Sequence, residues 1–131
     1  MLKDCVNSRQ QGDIGLGCAI GWLTSQGYTV SIPLTDSQDY DLVAEMSQGL
    51  CKVQVKTSHY ERRPGKYEVS LCTSGGNKSG TGKLKEFNPE SVDYLFVLLN
   101  DGRKYLIPSG KVSGTRKIMV GGEKYEAYLV A

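Results

Sequence analysis

The chain has 131 residues, of which 39% are apolar and 23% charged, and its formal net charge is +2. This composition is typical of a soluble globular protein with a hydrophobic core, and the small net charge excludes a strongly basic global field. No stretch approaches the about 18 consecutive apolar residues of a membrane-spanning helix. The first residues lack the apolar core of a signal peptide, and the four cysteines show no CxxC spacing. We therefore expect a cytoplasmic protein with reduced thiols, no membrane partner and a single domain over residues 1–131.

A helix is predicted over residues 8–26. Ser8 and Gln11 match a capping box, the apolar residues that follow recur with the helical period, and Gly27 ends the helix. The helix also contains four glycines, each of which costs about 1 kcal/mol relative to alanine in a helix interior. Close approach of the helix to a sheet or to a DNA backbone would explain them. They are Gly12, Gly15, Gly17 and Gly21.

Strands are predicted at residues 28–33, 40–44 and 50–57, with a turn at 47–49 between the last two. Alternation along the third strand places Lys52, Gln54 and Lys56 on one face. Asp41 lies inside the preceding strand. Because two adjacent antiparallel strands bring opposite side chains close together, we expect Asp41, Gln54 and Lys56 within a few ångströms of one another.

These residue types fit metal-assisted phosphodiester hydrolysis. Asp41 offers a carboxylate, Gln54 an amide oxygen and Val55 a backbone carbonyl, which are the ligands of a hard cation such as Mg²⁺. Lys56 can hold a water molecule or neutralise charge on a phosphate. The competing interpretation is a surface hairpin in which Asp41 and Lys56 form an exposed ion pair, worth about 0.2–1 kcal/mol.

The ordered series of motifs resembles the PD-(D/E)xK nuclease superfamily, and within it the small homing endonucleases of group I introns. In that group Gln takes the acidic position of the motif, as Gln54 does in Q-V-K at residues 54–56. The resemblance covers residues 12–108 and includes the strands Y-L-F-V-L and K-Y-L-I-P, at residues 94–98 and 104–108.

The resemblance implies an α/β fold, with a mixed central β-sheet flanked by helices and with C-terminal β-hairpins. It also implies a Mg²⁺-dependent, site-specific endonuclease that hydrolyses phosphodiester bonds in double-stranded DNA. The catalytic residues would be Asp41, Gln54 and Lys56. The metal would be held by Asp41, Gln54 and Val55, with Asp13 as a further candidate.

Asp13 is a candidate because an acidic residue on the first helix often joins the metal shell in this superfamily. The spacing from Asp41 and Lys56 places that position near Leu16, which cannot bind a metal. Asp13 lies one turn earlier on roughly the same helix face. The alternative is that Asp13 complements the helix dipole in the first turn.

A basic segment at residues 59–85 is the predicted DNA-binding surface, with base contacts in the major groove. It begins with a predicted polar turn at 59–65 and continues into a strand at 67–72. A glycine- and lysine-rich loop at 74–83 fails the Walker pattern at Thr81 and Leu84. This loop either meets phosphates or is a solvated linker. The predicted DNA-contacting residues are Arg62, Arg63, Lys66, Lys78, Lys83 and Lys85.

The rest of the chain predicts strands and turns. Residues 92–99 and 104–107 form a hairpin around the Asn100-Asp101-Gly102 turn, and residues 116–120 and 125–130 form a second hairpin. His59, the single histidine, is either a general base or an ordinary polar residue. No Ser/His/Asp arrangement is evident.

One such site per chain implies a homo-oligomer for double-strand cleavage, a symmetric dimer at least, and the resemblance also suggests a tetramer. Two other functions stay open. One is a structure-selective nuclease such as a Holliday junction resolvase. The other is a catalytically weak DNA-binding module on the same scaffold.

Overall fold

The computed structural model describes residues 2–5, 7–74 and 84–131. Within these ranges the chain forms one α-helix, eleven short strands and three 3₁₀ segments. The helix is α1 (Ser8–Ser25), and the 3₁₀ segments are Leu2–Asp4, Ser109–Lys111 and Glu123–Tyr128. The strands are β1 (Thr29–Ser31), β2 (Leu42–Met46), β3 (Gly49–Ser58), β4 (Tyr60–Arg63), β5 (Lys66–Ser70), β6 (Thr73–Ser74), β7 (Leu84–Lys85), β8 (Tyr94–Leu99), β9 (Lys104–Pro108), β10 (Lys117–Val120) and β11 (Leu129–Val130).

The central sheet is mixed, with the strand order β1-β2-β3-β8-β9-β11. Strands β3 and β8 are parallel, whereas the other neighbours in this sheet are antiparallel. The parallel pair lies at the centre, where β8 is buried on both faces, as expected for such a pair. The α/β fold class with a mixed central sheet is therefore confirmed.

Helix α1 covers one face of the central sheet. Its N-cap is Asn7, whose side chain accepts a hydrogen bond from the Gln10 backbone N–H at 2.9 Å, so the predicted cap at Ser8 is wrong by one residue. At Gly15 a Cβ would collide with the Thr57 side chain on β3. This glycine allows the close approach expected from the sequence. Gly12, Gly17 and Gly21 have no such neighbour within 4 Å.

A small sheet with the order β10-β5-β4 covers the opposite face of the central sheet. Its inward side chains, among them Val69 and Val120, pack against Leu95, Val97 and Leu99 of β8. The apolar side chains between α1 and the central sheet form a separate cluster. The central sheet therefore lies between a helix and a second sheet, and each interface is apolar.

The predicted polar turn at residues 59–65 is wrong in part. Tyr60–Arg63 forms β4, which pairs with β5, and only Pro64-Gly65 makes the turn, with Gly65 at φ +75°. All four residues of β4 are exposed. Because an exposed edge strand buries no side chain, it lacks the apolar alternation by which strands are recognised.

The predicted C-terminal hairpin is also wrong. Lys117–Val120 forms β10 but pairs with β5, and Leu129–Val130 pairs with β9. Glu123–Tyr128 between them is a 3₁₀ helix, in which Tyr125 is buried. The packing of buried Ile118 and Val120 against β5 directs β10 to the small sheet. No helix in the described part of the chain is long and apolar enough to cross a membrane.

Candidate active site

The candidate site lies where β2 begins opposite the middle of β3. In the antiparallel pairing Leu42 is opposite Val53, and Asp41 directly precedes Leu42 in the chain. The Asp41 backbone N–H donates to the Val53 carbonyl at 2.9 Å. Asp41 Oδ2 accepts a hydrogen bond from the Val55 backbone N–H at 2.7 Å. The carboxylate is thereby held against β3.

Gln54 and Lys56 lie on the same face of β3. Val55 and Thr57 face α1 at Gly15, so the alternating residues point to the other side of the sheet. Asp41 lies close enough to Lys56 for the two charges to act on each other, and its carboxylate reaches the β3 backbone at Val55. Gln54 is only 8% exposed and makes no side-chain hydrogen bond to another described residue. Gln54 and Lys56 therefore share a face of β3, and the carboxylate of Asp41 lies beside this strand.

Burial and mutual attraction set the charges of this site. Burial raises the pKa of Asp41, against the effects of the Val55 N–H bond and of the Lys56 charge. Burial lowers the pKa of Lys56, against the attraction of Asp41. Lys56 Nζ also donates to the Cys72 backbone carbonyl at 3.4 Å. The two side chains thus act electrostatically on each other in a partly dehydrated setting, unlike a fully exposed surface ion pair.

Comparisons with known proteins agree with this architecture. Residues 6–121 match the PD-(D/E)XK endonuclease family. The chain belongs to this family. Its structure is also similar to that of a bacterial homing endonuclease, I-Ssp6803I, with a TM-score of 0.68 and 24% sequence identity over 94% of this chain and 87% of that chain. A comparison with curated proteins found no match.

Membership in the PD-(D/E)XK family confirms the predicted superfamily and implies a nuclease that acts on DNA. Divalent metal ions are typical of the family. Among the described residues, no group of three His, Cys, Asp or Glu side chains is placed to hold a metal. The candidate site itself combines one carboxylate, that of Asp41, with the neutral amide of Gln54.

The donors present nevertheless fit a hard cation, because all of them are oxygens. In a strand, the N–H and C=O of one residue point to the same side. Since the Val55 N–H points to Asp41, the Val55 carbonyl opens on the Asp41 side as well. Asp41, Gln54 and the Val55 carbonyl could therefore contribute to one set of oxygen ligands.

Asp13 is exposed on α1. Its helix packs through Gly15 on Val55 and Thr57, which lie on the face of β3 opposite Gln54 and Lys56. No described contact joins Asp13 to the three site residues. A metal-binding role for Asp13 stays a prediction.

His59 lies beyond the end of β3, on the α1 side. Its Nδ1 is 3.1 Å from Gln11 Oε1, and Gln11 Nε2 donates to Thr57 Oγ1 at 2.9 Å. The His59 ring also stacks on Tyr60, with 4.5 Å between centroids. These contacts make His59 part of the junction between α1, β3 and β4. Neither the Gln11 contact nor the Cys72 carbonyl could be recognised from a pattern in the sequence.

The predicted DNA-binding residues fall into three groups. Arg62, Arg63 and Lys66 are exposed on the β4–β5 hairpin. Lys85, on β7, forms an ion pair with Asp39 at 2.5 Å, just before Asp41 in the chain. Lys78 and Lys83 lie outside the described residues.

Proposed function

We propose that this protein is a Mg²⁺-dependent, site-specific DNA endonuclease of the homing type. It would hydrolyse phosphodiester bonds of double-stranded DNA as a cytoplasmic single-domain protein over residues 1–131. The observation that carries the proposal is the position of Asp41 beside the strand that carries Gln54 and Lys56, with Asp41 and Lys56 shifting each other's pKa. Family membership and the fold of I-Ssp6803I support it.

Asp41, Gln54 and the Val55 carbonyl would hold the cation. A bound divalent cation would neutralise charge on the scissile phosphate and make a neighbouring water more acidic. Because Oδ2 of Asp41 accepts a hydrogen bond from the Val55 N–H, Oδ1 is the oxygen that would bind the cation. Gln54 would complete the oxygen set without adding a second negative charge.

Lys56 would act on the phosphate and on the attacking water. The Cys72 carbonyl and the Asp41 charge hold Nζ on the site face. As an ammonium group, Nζ stabilises the negative charge that develops on the phosphate. Because burial lowers its pKa, its neutral form is easier to reach than that of an exposed lysine, so Nζ can also accept a proton.

Cleavage of both DNA strands would require at least two copies of this chain. The described residues contain one Asp41–Gln54–Lys56 set, so a symmetric dimer would supply one set for each strand. A tetramer would supply two such pairs. Sedimentation of the protein alone and with its DNA site would separate these states.

The test of the function compares three substrates in Mg²⁺: a plasmid library, a four-way junction and a randomised linear duplex. The proposal predicts double-strand cleavage at a unique sequence that is lost in Lys56→Ala. Cleavage of the junction alone would support a Holliday junction resolvase instead. The matched control is Lys104→Gln, which removes a lysine from the α1 side of the sheet, where Lys104 shares a face with Leu98.

A catalytically weak DNA-binding module is the second candidate. The single carboxylate at the described site favours it, because one carboxylate and one amide bind a cation more weakly than two carboxylates do. Sequence-specific binding without cleavage, unchanged in Lys56→Ala, would establish this alternative.

If Asp13 completes the metal shell, Asp13→Asn will weaken cleavage, and a higher Mg²⁺ concentration will be required for cleavage.

A further inference from the structure

The small sheet has one face turned away from the core. Tyr67, Val69, Ile118 and Val120 point inward, so their alternating neighbours point outward. The register aligns Tyr60 and Met119 on either side of Glu68, and the three side chains share that outward surface. We call this surface the outer face of the small sheet. Its main side chains are Tyr60, Arg62, Lys66, Glu68, Lys117 and Met119.

The outer face carries cations arranged around a central acid. Glu68 Oε2 lies 3.2 Å from Arg62 Nη2, and Glu68 Oε1 lies 3.7 Å from Lys117 Nζ. Arg62 is also 5.9 Å from the centre of the Tyr60 ring. The cationic side chains are 58% and 69% exposed, whereas Glu68 is 24% exposed. Glu68 therefore holds two exposed cations on opposite sides of itself, on a surface that also exposes Tyr60 and Met119.

We propose that the outer face reads the major groove of double-stranded DNA, with Glu68 as its specificity-determining residue. This inference rests on the proposed function, because it assigns the substrate of that nuclease to a surface. Arg62, Lys66 and Lys117 supply the charge that phosphates and guanine require. The carboxylate of Glu68 accepts a hydrogen bond from the amino group that cytosine presents in that groove.

The dimensions of the outer face suit the groove. Neighbouring strands lie about 4.8 Å apart, so β4 and β10 are about 10 Å apart across β5. The major groove of B-DNA is about 12 Å wide. Lys117 on β10 and Arg62 on β4 would then face the two edges of the groove, with Glu68 on β5 between them.

The segment that follows β5 also connects this face to the candidate active site. Cys72, whose carbonyl accepts from Lys56, lies four residues after Glu68 in the chain.

The surface is tested by binding without divalent cation, so that no cleavage occurs. The DNA is the duplex selected for wild-type binding, and anisotropy is measured across a salt series. Arg62→Gln and Lys117→Gln should each weaken binding on the order of tenfold and reduce the salt slope by about 1. Lys104→Gln, on the opposite side of the molecule, should retain the wild-type slope. Wild-type slopes and affinities for both outer-face variants would overturn the proposal.

The role of Glu68 is tested by repeating the binding selection with Glu68→Gln. The expected result is a changed base preference on the order of tenfold at one position per half-site, with unchanged preference elsewhere. An unchanged preference at all positions would refute the specificity role. Absence of cleavage by the wild-type protein in Mg²⁺ would refute the nuclease, whereas these binding measurements would still decide which surface contacts DNA. Thermal unfolding of each variant confirms that it is folded.

Discussion

The buried position of Lys56 disfavours the charged ammonium form of its side chain relative to the neutral form. Burial lowers its pKa and Asp41 raises it, and the net shift is downward. A net downward shift means that the charged side chain is less favourable in the folded protein than in water, even with Asp41 present. Residues whose charge lowers the stability of the fold are typical of active sites, because function requires them despite that cost.

Lys56→Met should therefore stabilise the protein and abolish its activity. The unfolding midpoint should rise, because the unfavourable buried charge is removed, and the cleavage rate should fall at least about 100-fold. Thermal unfolding and single-turnover cleavage measure the two effects. A lower midpoint together with retained cleavage would mean that Lys56 has only a structural role.

Asp41 has the complementary property. Its pKa is raised in the folded state, chiefly by burial, so the folded protein holds a proton on Asp41 more tightly than the unfolded chain does. As pH falls through this raised pKa, the fold gains stability relative to the unfolded chain. In the proposed function, cation binding would require the ionised carboxylate and would be lost over the same pH range.

The pH below which cleavage is lost should consequently lie above about 3.9, the pKa of an ordinary aspartate. Single-turnover rates measured against pH at Mg²⁺ concentrations below saturation test this expectation, because bound Mg²⁺ competes with the proton for Asp41. The stability of Asp41→Asn should lack the corresponding pH dependence. A rate that stays constant down to pH about 4 would contradict the assignment of Asp41.

At this scale the sequence predicted much of the site. The alternation of Gln54, Val55 and Lys56 determined which side chains share a face, and the short turn between β2 and β3 placed Asp41 beside them. The Cys72 carbonyl could not be predicted, because any residue can supply a backbone carbonyl. Its position depends on the long-range packing of β5 against β3.

At the scale of elements, α1 approaches the sheet most closely at one glycine. A Cβ at Gly15 would meet the Thr57 and Val55 side chains, whereas Gly17 has open space around it. Gly15→Ala should destabilise the protein by about 1–3 kcal/mol through overpacking. Gly17→Ala should stabilise it by up to about 1 kcal/mol through helix propensity. Chemical denaturation of both variants tests this contrast, and similar effects of the two would contradict it.

A second close approach joins the β4–β5 turn to the end of β10. Arg103 Nη2 donates to the Gly65 carbonyl at 2.6 Å, and Nη1 donates to the Gly121 carbonyl at 3.3 Å. Gly121 has φ +113°, and a Cβ there would collide with the Gly65 carbonyl. Arg103 thus ties the exposed hairpin that carries Arg62 to the body of the protein.

Gly121→Ala should destabilise the protein by at least about 2 kcal/mol, because the new methyl group meets backbone at a left-handed position. Gly110→Ala is the matched control, since Gly110 has no neighbour within 4 Å of a Cβ and no positive φ. Denaturation midpoints give the comparison. Equal effects would show that the close approach is not maintained in solution.

The errors at this scale have a common cause. The sequence identifies strands through buried, alternating side chains, and β4 buries none. Residues 125–130 do contain apolar side chains, but Tyr125 is buried in a 3₁₀ helix and its hydroxyl bonds to Ser113. The residues that these side chains contact are distant in the chain, so the local sequence pattern could not distinguish this arrangement from a hairpin.

At the scale of the whole molecule, the candidate site lies on the face of the central sheet that is also covered by the small sheet. Strand β3 contributes Gln54 and Lys56 to the site and Ser58 to the contact with the Glu68 carbonyl. The candidate catalytic residues and the outer face are therefore positioned by adjoining strands. The number of copies that assemble depends on surfaces whose partners a single sequence does not specify.

The central claim is that Asp41 and Lys56 act in one catalytic site. The most direct measurement is a double-mutant cycle on single-turnover cleavage of the selected duplex in Mg²⁺, with Asp41→Asn, Lys56→Met and the double variant. Because residues of one site act as a unit, the double variant should be no slower than the slower single variant, and each single variant should lose at least about 100-fold. Losses that multiply in the double variant, or wild-type rates in either single variant, would contradict the claim.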